Sequence, residues 1–409
     1  KGGGGGRRPP ATTTEHMTCQ DYDAVMQSMR NLWNRLDVTC DAGACQQADF
    51  AGCVLRIAGH DFMDFVASEG GGSDGCMDFS DADNAGLAAC MYSGEFGISV
   101  AEAWRDHCTQ ISIADFLVLA AEAVMTFTRE TALADGLHTR TLDFKSHFKY
   151  GRSTVPSCGF AHGRLPNPEN SCTAVDEVFV QKMGLSWRET AALMAVHSLG
   201  RAKIENSGYD GFWSDAENSR KFNNNYFISI LAKGWMPEKV ANNPAKNQWK
   251  RGDMAADGVL GKEMMLNTDL CLAYSGDECR LGGTNPGCTS LPLSAAGPAC
   301  CAWASPVKTN RGRGDFGVEM CGTTEMPGAS DFRRQRALCC CHGCDNNQAP
   351  RDCGLPLLNT APFPAHGPAA SDVIEFANNE RPWLEEFMLA WTKATENGFA
   401  TLQPVCSAP

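Results

Sequence analysis

A chain of 409 residues, 43% of them hydrophobic, can bury a substantial core in one large domain or two ordinary ones, which excludes a wholly disordered protein. Its formal charge of -13 argues against a nucleic-acid-binding surface and favours small substrates or cationic partners over polyanions. The 21 cysteines exceed what a reducing cytosol normally permits, so the composition points to a secreted or extracellular protein with disulfides. An odd count leaves at least one cysteine free or paired between chains.

Residues 1–13, rich in Gly, Arg and Pro, predict a mobile tail. Apolar residues at Val25, Met26, Met29, Leu32 and Leu36 predict a helix from Asp21 to Leu36. A second helix starts near Asp49, carries Val54, Leu55, Ile57 and Ala58 to His60, and is ended by the glycines of Gly70–Gly75. The longest apolar run, Ile111 to Phe127, contains Asp115 and Glu122 and reads as a core helix, not a membrane span. The firmest helical patterns are Ser112–Phe127 and Trp187–Leu199, followed by Asn224–Ala232, Val373–Asn378 and the amphipathic Trp383–Asn397. Strand-like alternation is scarce, so the expected fold is mainly α with small hairpins.

Between Cys279 and Pro368 the character changes: Gly, Pro and Ser punctuate the chain, and ten cysteines fall in Cys279–Cys353. Residues 279–369 read as an irregular, disulfide-stapled insertion, because crosslinks must offset ordering entropy where the core is small. A metal-binding array at Cys339, Cys340, Cys341 and Cys344 is the alternative. The expected organisation is a core over 14–278, the insertion, and a C-terminal segment over 370–409 packing back on the core. The sequence shows no signal peptide and no initial methionine, which reads as a mature or truncated chain.

Arg56 and His60 are four apart on one helix and can face one pocket. A histidine there can move a proton between two oxygens, and a guanidinium can stabilise the negative charge that develops as a bond between them breaks. By themselves they also read as a polar helix face. His197 ends the apolar segment Ala191–Val196 and is followed by Ser-Leu-Gly, which suits an imidazole presented from a packed wall; a histidine favoured by the helix dipole is the plainer reading.

These residues lie within stretches that resemble the plant/fungal/bacterial haem-peroxidase superfamily. LRIAGHDF at Leu55–Phe62, ALMAVHSLGRAKIENSGYDGFW at Ala192–Trp213 and MMLNTDLCL at Met264–Leu272 carry the resemblance, with shorter agreements at Asp83–Leu87, Ile113–Phe116 and Gly163–Pro166. The proximal half looks closest to the cytochrome c peroxidase and ascorbate peroxidase types. The resemblance implies the haem-peroxidase helical fold, haem b, and reduction of hydrogen peroxide with oxidation of a small organic donor. It implies His197 as the iron ligand and Asp269 as acceptor of its second N–H, with Trp213 beside it as either a structural or a redox-active indole. It implies Arg56 and His60 as the distal pair and Asn84 as the residue orienting His60.

The sequence also departs from that pattern. Gly59 stands where a bulky aromatic usually precedes the distal histidine, which leaves room for water, a larger ligand or another side chain and speaks against the catalase-like branch. Asn206 replaces an arginine of the ascorbate type. Asp61, Gly72 and Asp74 resemble a distal calcium site in secreted relatives, although Cys76 replaces its usual serine. Ser198 offers one proximal oxygen, but Asn223 replaces the aspartate expected of a tight second cation site. The alternative function is an extracellular structural or interaction protein that kept the fold, contacting a protein partner through the cysteine-rich insertion.

Overall fold

A computed structural model of the chain describes residues 13–40, 45–92, 94–158, 161–170, 172–232, 235–240, 243–251, 262–273, 305–306, 318–319 and 367–406. The fold is mainly α-helical, built around the helix Ile113–Ala134, which is buried along most of its length. Ser112 caps it, accepting a hydrogen bond from the Asp115 N–H at 3.1 Å and so satisfying a donor that the helix start leaves unpaired. The helices Cys19–Trp33 and Gln46–Phe62 pack against it. The first opens with a capping box between Thr18 and Asp21 and buries Tyr22, Val25, Met29, Leu32 and Trp33 on one face. Each large apolar side chain removed from water in this way contributes roughly 1.5–3 kcal/mol.

Two buried ion pairs hold the central helix at its ends. Asp115, in the first turn, pairs with Arg152 at 2.7 Å, and Arg129 pairs with Glu380 of the C-terminal helix Glu380–Glu396. Each guanidinium also donates to carbonyls, Arg152 to Lys149 and Thr395, Arg129 to Arg140 and Phe222. That completeness matters, because breaking a buried pair by removing one partner costs about 3–5 kcal/mol. The C-terminal helix also receives the helix Trp187–Met194, with Trp383 Nε1–H donating to Ala192 O at 3.1 Å. His197 follows directly on that helix.

Several elements differ from the periodicity. The central helix runs about two turns past Phe127 to Ala134, through Thr128 and Arg129, because both find partners inside the protein. The helix expected to reach Leu199 stops at Met194 and tightens into a 3-10 turn over Ala195–Ser198. Short helices at Leu87–Tyr92 and Val100–Arg105 and a π-helical stretch at Asp176–Lys182 are too short or irregular to show a period. Among the described residues strands are few and mostly short. In the three-stranded antiparallel sheet Trp235–Val240, Asn243–Arg251 and Met264–Met265, Trp249 lies opposite Met265 and Lys250 opposite Met264. This register brings the chain to Leu266 and the turn that carries Asp269.

Among the described residues five disulfides join Cys19–Cys406, Cys40–Cys45, Cys53–Cys90, Cys76–Cys158 and Cys172–Cys271, and Cys108 is the exposed cysteine without a disulfide partner there. The first ties the start of the helix Cys19–Trp33 to the segment after the helix Glu380–Glu396, and the fourth ties the glycine-rich loop after the helix Gln46–Phe62 to Cys158. The tail over 1–12, nearly all of the insertion over 279–369 and all ten of its cysteines lie outside the described residues. Among the described residues no helix is long and apolar enough to cross a membrane.

Candidate active site

The distal group stands on the helix Gln46–Phe62. Between Arg56 and Met63 every position is buried except Arg56, Gly59, His60 and Met63, which share one face at helical spacing. His60 Nδ1 lies 2.8 Å from Asn84 Oδ1, and the Asn84 amide donates to Asp78 O at 2.9 Å. That second bond fixes which way the amide points, so Asn84 presents its oxygen, His60 carries its proton on Nδ1, and Nε2 is the basic nitrogen. Arg56 donates through Nε to His60 Nε2 at 3.3 Å and through its terminal nitrogens to Ala85 O at 2.7 Å and Asp83 O at 2.5 Å. Burial, reinforced by the Arg56 charge, lowers the His60 pKa to about 3, so the imidazole is neutral at ordinary pH.

The loop between Asp78 and Leu87 therefore holds both distal side chains. It is braced by Asn206: a Cβ on Gly86, whose φ is +82°, would come within 2.3 Å of the Asn206 side chain. Asn206, which the sequence marks only as a lost arginine, thus packs against the distal loop. A second close approach, Gly52 against Gly200 at 2.9 Å from a built Cβ, brings the distal helix onto the chain just after His197. Arg201 clamps the same junction through a two-pronged pair with Asp49 at 2.8 and 2.9 Å.

On the proximal side Asp269 gathers the site. Its carboxylate is fully buried and accepts four hydrogen bonds: His197 Nδ1–H at 2.7 Å, Tyr226 O–H at 2.8 Å, Trp213 Nε1–H at 3.0 Å and the Leu266 N–H at 2.7 Å. The His197 ring stacks on Trp213 with centroids 4.4 Å apart and planes at 19°. Nδ1 is committed to Asp269, so Nε2 is the nitrogen left for a metal. The His197 side chain keeps 31% exposure beside a fully buried Ser198, so the ring opens onto space rather than into the core. This donor set fits a haem iron. Tyr226, which the periodicity shows only as one apolar position in a helix, is held as a phenol by burial and by the Asp269 charge.

The calcium candidates Asp61 and Asp74 are both buried, with a third carboxylate, Asp64, that the sequence reading missed. Burial and mutual repulsion push Asp61 well above the usual carboxylate range, Asp64 rises to about 7 and Asp74 to about 6. Asp61 Oδ2 accepts from the Gly75 N–H at 2.9 Å, while Asp61 Oδ1 and Ser73 Oγ have no partner among the described residues. Gly72 O accepts from the Asp74 N–H at 2.6 Å. Among the described residues no cluster of three metal-ligating side chains is present. On the proximal side the buried Ser198 hydroxyl has no partner among the described residues, its carbonyl accepts from Ser214 Oγ at 3.3 Å, and the Asn223 amide is spent on Asn218 at 2.9 Å.

Residues 26–280 match the family model described as Peroxidase. The chain belongs to that family, the plant/fungal/bacterial haem-peroxidase superfamily, and it is related to its ascorbate and cytochrome c peroxidases. A Pyricularia oryzae protein provisionally named a heme-binding peroxidase is 40% identical over 111 residues, covering 27% of this chain and 34% of the relative. Cytosolic L-ascorbate peroxidase 1 of Oryza sativa subsp. indica is 31% identical over 184 residues, covering 44% and 64%. Mitochondrial cytochrome c peroxidase of Candida albicans is 35% identical over 111 residues, covering 27% of each chain. The chain thus spans less than two thirds of the length of each of these relatives.

Proposed function

We propose that the protein is a secreted haem peroxidase that reduces hydrogen peroxide and oxidises a small organic donor. What supports this reading is an Asp269-anchored His197 whose Nε2 is left for a metal, together with a neutral His60 beside Arg56. Haem b, held by His197 Nε2, would supply a redox-active iron and a porphyrin able to store oxidising equivalents. The chain's own groups do the rest. His60 Nε2 takes the proton from the inner peroxide oxygen and returns it to the outer one, while Asn84 keeps Nδ1 protonated. Arg56 stabilises the charge that develops on the departing oxygen. Asp269 orients the His197 ring and raises its donor strength, and Trp213 stays packed on it.

Asp61, Gly72 and Asp74 form the proposed calcium site. An unpartnered Asp61 oxygen within a crowd of buried acids suits a hard cation. Five disulfides support secretion into an oxidising compartment. The test is to purify the disulfide-bonded protein, record its haem spectrum, and measure peroxide consumption with phenolic donors, ascorbate and reduced cytochrome c. Haem uptake with turnover supports the reading. Haem uptake without turnover transfers the assignment to an extracellular scaffold, and no uptake removes it.

A further inference from the structure

The sequence contains no Asn-x-Ser or Asn-x-Thr, and Asn170-Ser171-Cys172 is its one Asn-x-Cys. A thiol at the third position can stand in for the hydroxyl of an ordinary acceptor for N-linked carbohydrate, though as a weaker hydrogen-bonding group. Such an acceptor must be open when the transferase meets it and exposed once the chain has folded. Asn170 meets both conditions. In the fold it is exposed, at the end of a turn in which its N–H donates to Asn167 O at 3.0 Å. The turn is tied down through its neighbours. Glu169 accepts from the Tyr209 hydroxyl at 2.6 Å through its carboxylate and from the Asn267 amide at 2.9 Å through its carbonyl, and half-buried Cys172 is bonded to buried Cys271. These three partners lie 40, 98 and 99 positions further along the chain. A chain growing at about 5–20 residues per second therefore leaves Cys172 without Cys271 for roughly 5–20 seconds. Earlier cysteines offer it no native partner: Cys40–Cys45, Cys53–Cys90 and Cys76–Cys158 pair among themselves, and Cys19 pairs with Cys406.

We propose that Asn170 carries an N-linked oligosaccharide, attached before Cys172 pairs with Cys271. This rests on the secreted part of the reading above and not on the haem chemistry. The donor is an oligosaccharide joined through a diphosphate to a polyprenyl lipid. Asn170 Nδ2 forms a bond to the anomeric carbon of the first sugar, and the bond from that carbon to the diphosphate oxygen breaks. The lipid diphosphate leaves with the electron pair, and the amide proton passes to a base of the transferase. Cys172 serves only as the thiol, because a sulfur already in a disulfide has no S–H to donate. The later disulfide then ties the glycosylated segment to the end of the short helix that carries Asp269.

The experiment secretes the full chain from a eukaryotic host and treats it with peptide N-glycosidase in heavy-oxygen water, which marks each glycosylated asparagine for mass spectrometry. Residue 170 should be marked in at least about one chain in ten, and Cys172→Thr should raise that fraction at least about twofold, because a hydroxyl replaces a weak S–H donor. Asn170→Gln and Cys172→Ala should abolish the mark. Cys271→Ala loses the same disulfide as Cys172→Ala but keeps the acceptor, so its occupancy should stay within about twofold of the parent. Translation of the same full chains with microsomes repeats the comparison by gel mobility, which does not require the variants to fold. An unmarked Asn170 in the parent, with Cys172→Thr marked or not, overturns the proposal, as does a mark that survives Cys172→Ala. A larger rise in Cys271→Ala shows that the disulfide competes for Cys172 and overturns the order of events. Intact disulfides beside an unmarked Asn170 leave the secreted reading standing, whereas fully reduced cysteines in protein from its natural source remove both.

Discussion

Tyr226 donates its hydroxyl to the same Asp269 oxygen that accepts the His197 Nδ1–H, at 2.8 and 2.7 Å. Each further donor draws charge from that carboxylate and weakens its pull on the imidazole proton. Tyr226→Phe should therefore strengthen the His197–Asp269 bond, make the imidazole a stronger donor and lower the iron reduction potential. Losing a hydrogen bond to a buried charged group should also destabilise the fold by about 1.5–3 kcal/mol. Potentiometric titration and denaturant unfolding of the two proteins check both effects. An unchanged potential would show that the phenol has no influence on the ligand.

In the proposed reaction His60 sets the pH dependence of the first peroxide step. Its pKa falls from the ordinary 6.5 to about 3, with burial the larger cause and Arg56 the next. The neutral base then persists down to about pH 3, so the rate constant should be flat from about pH 5 to 8 and fall below about pH 4. The stability linkage has a definite sign. Between about pH 3 and 6.5 the unfolded chain binds a proton that the folded site refuses, so this group makes stability rise with pH across that window. Stopped-flow rates with a half-point near pH 6.5 would contradict the burial argument.

Helical spacing puts Arg56 and His60 on one face and His197 after an apolar helix, but the roles proposed for all three come from the family resemblance. Asp269 and Trp213 emerged only through family resemblance, since nothing local connects Trp213 to a carboxylate 56 positions away. Tyr226 stayed hidden for a related reason: periodicity records its ring as core and says nothing about where its hydroxyl points. Asp64 is hidden in the sequence because the buried acid it shares a region with, Asp74, is brought back to it by a loop whose glycines at 70, 71 and 72 take positive φ. Cysteine counting points to disulfides, which the described residues contain, but pairing requires Cα atoms within reach. Cys19 and Cys406, separated by 387 positions, show why spacing could not supply it.

Glu122 offers a pH test outside the site. It is buried in the central helix, accepts Trp391 Nε1–H at 3.0 Å and the Tyr22 hydroxyl at 3.4 Å, and burial raises its pKa to about 8. A carboxyl whose folded pKa is raised gives stability that is complete below its unfolded value, declines as pH rises, and is lost beyond about pH 8. The loss has a limiting slope of about 1.4 kcal/mol per pH unit. Glu122→Gln should remove this component. Urea unfolding at pH 5 and pH 9 should show the variant losing less stability over the interval than the parent, and equal losses would exclude Glu122 as its source.

Calcium at the distal loop makes a prediction that separates it from simple acid crowding. Asp61, Asp64 and Asp74 share a buried region, and Asp61 Oδ1 has no partner among the described residues, so a divalent cation would relieve their mutual repulsion. Binding to the folded state alone stabilises it by about 2.7 kcal/mol when free calcium is one hundred times Kd. Chelation at pH 8 should therefore lower Tm by several degrees, and calcium should restore it more effectively than magnesium, which keeps its water and demands tighter geometry. Asp61→Asn separates the two sources of stability. It lessens the charge crowding, which on its own should raise Tm in chelator, but weakens the cation site, so the variant should lose most of its response to calcium. Identical Tm values for the parent in calcium and in chelator would mean that the three acids carry their burial without a metal.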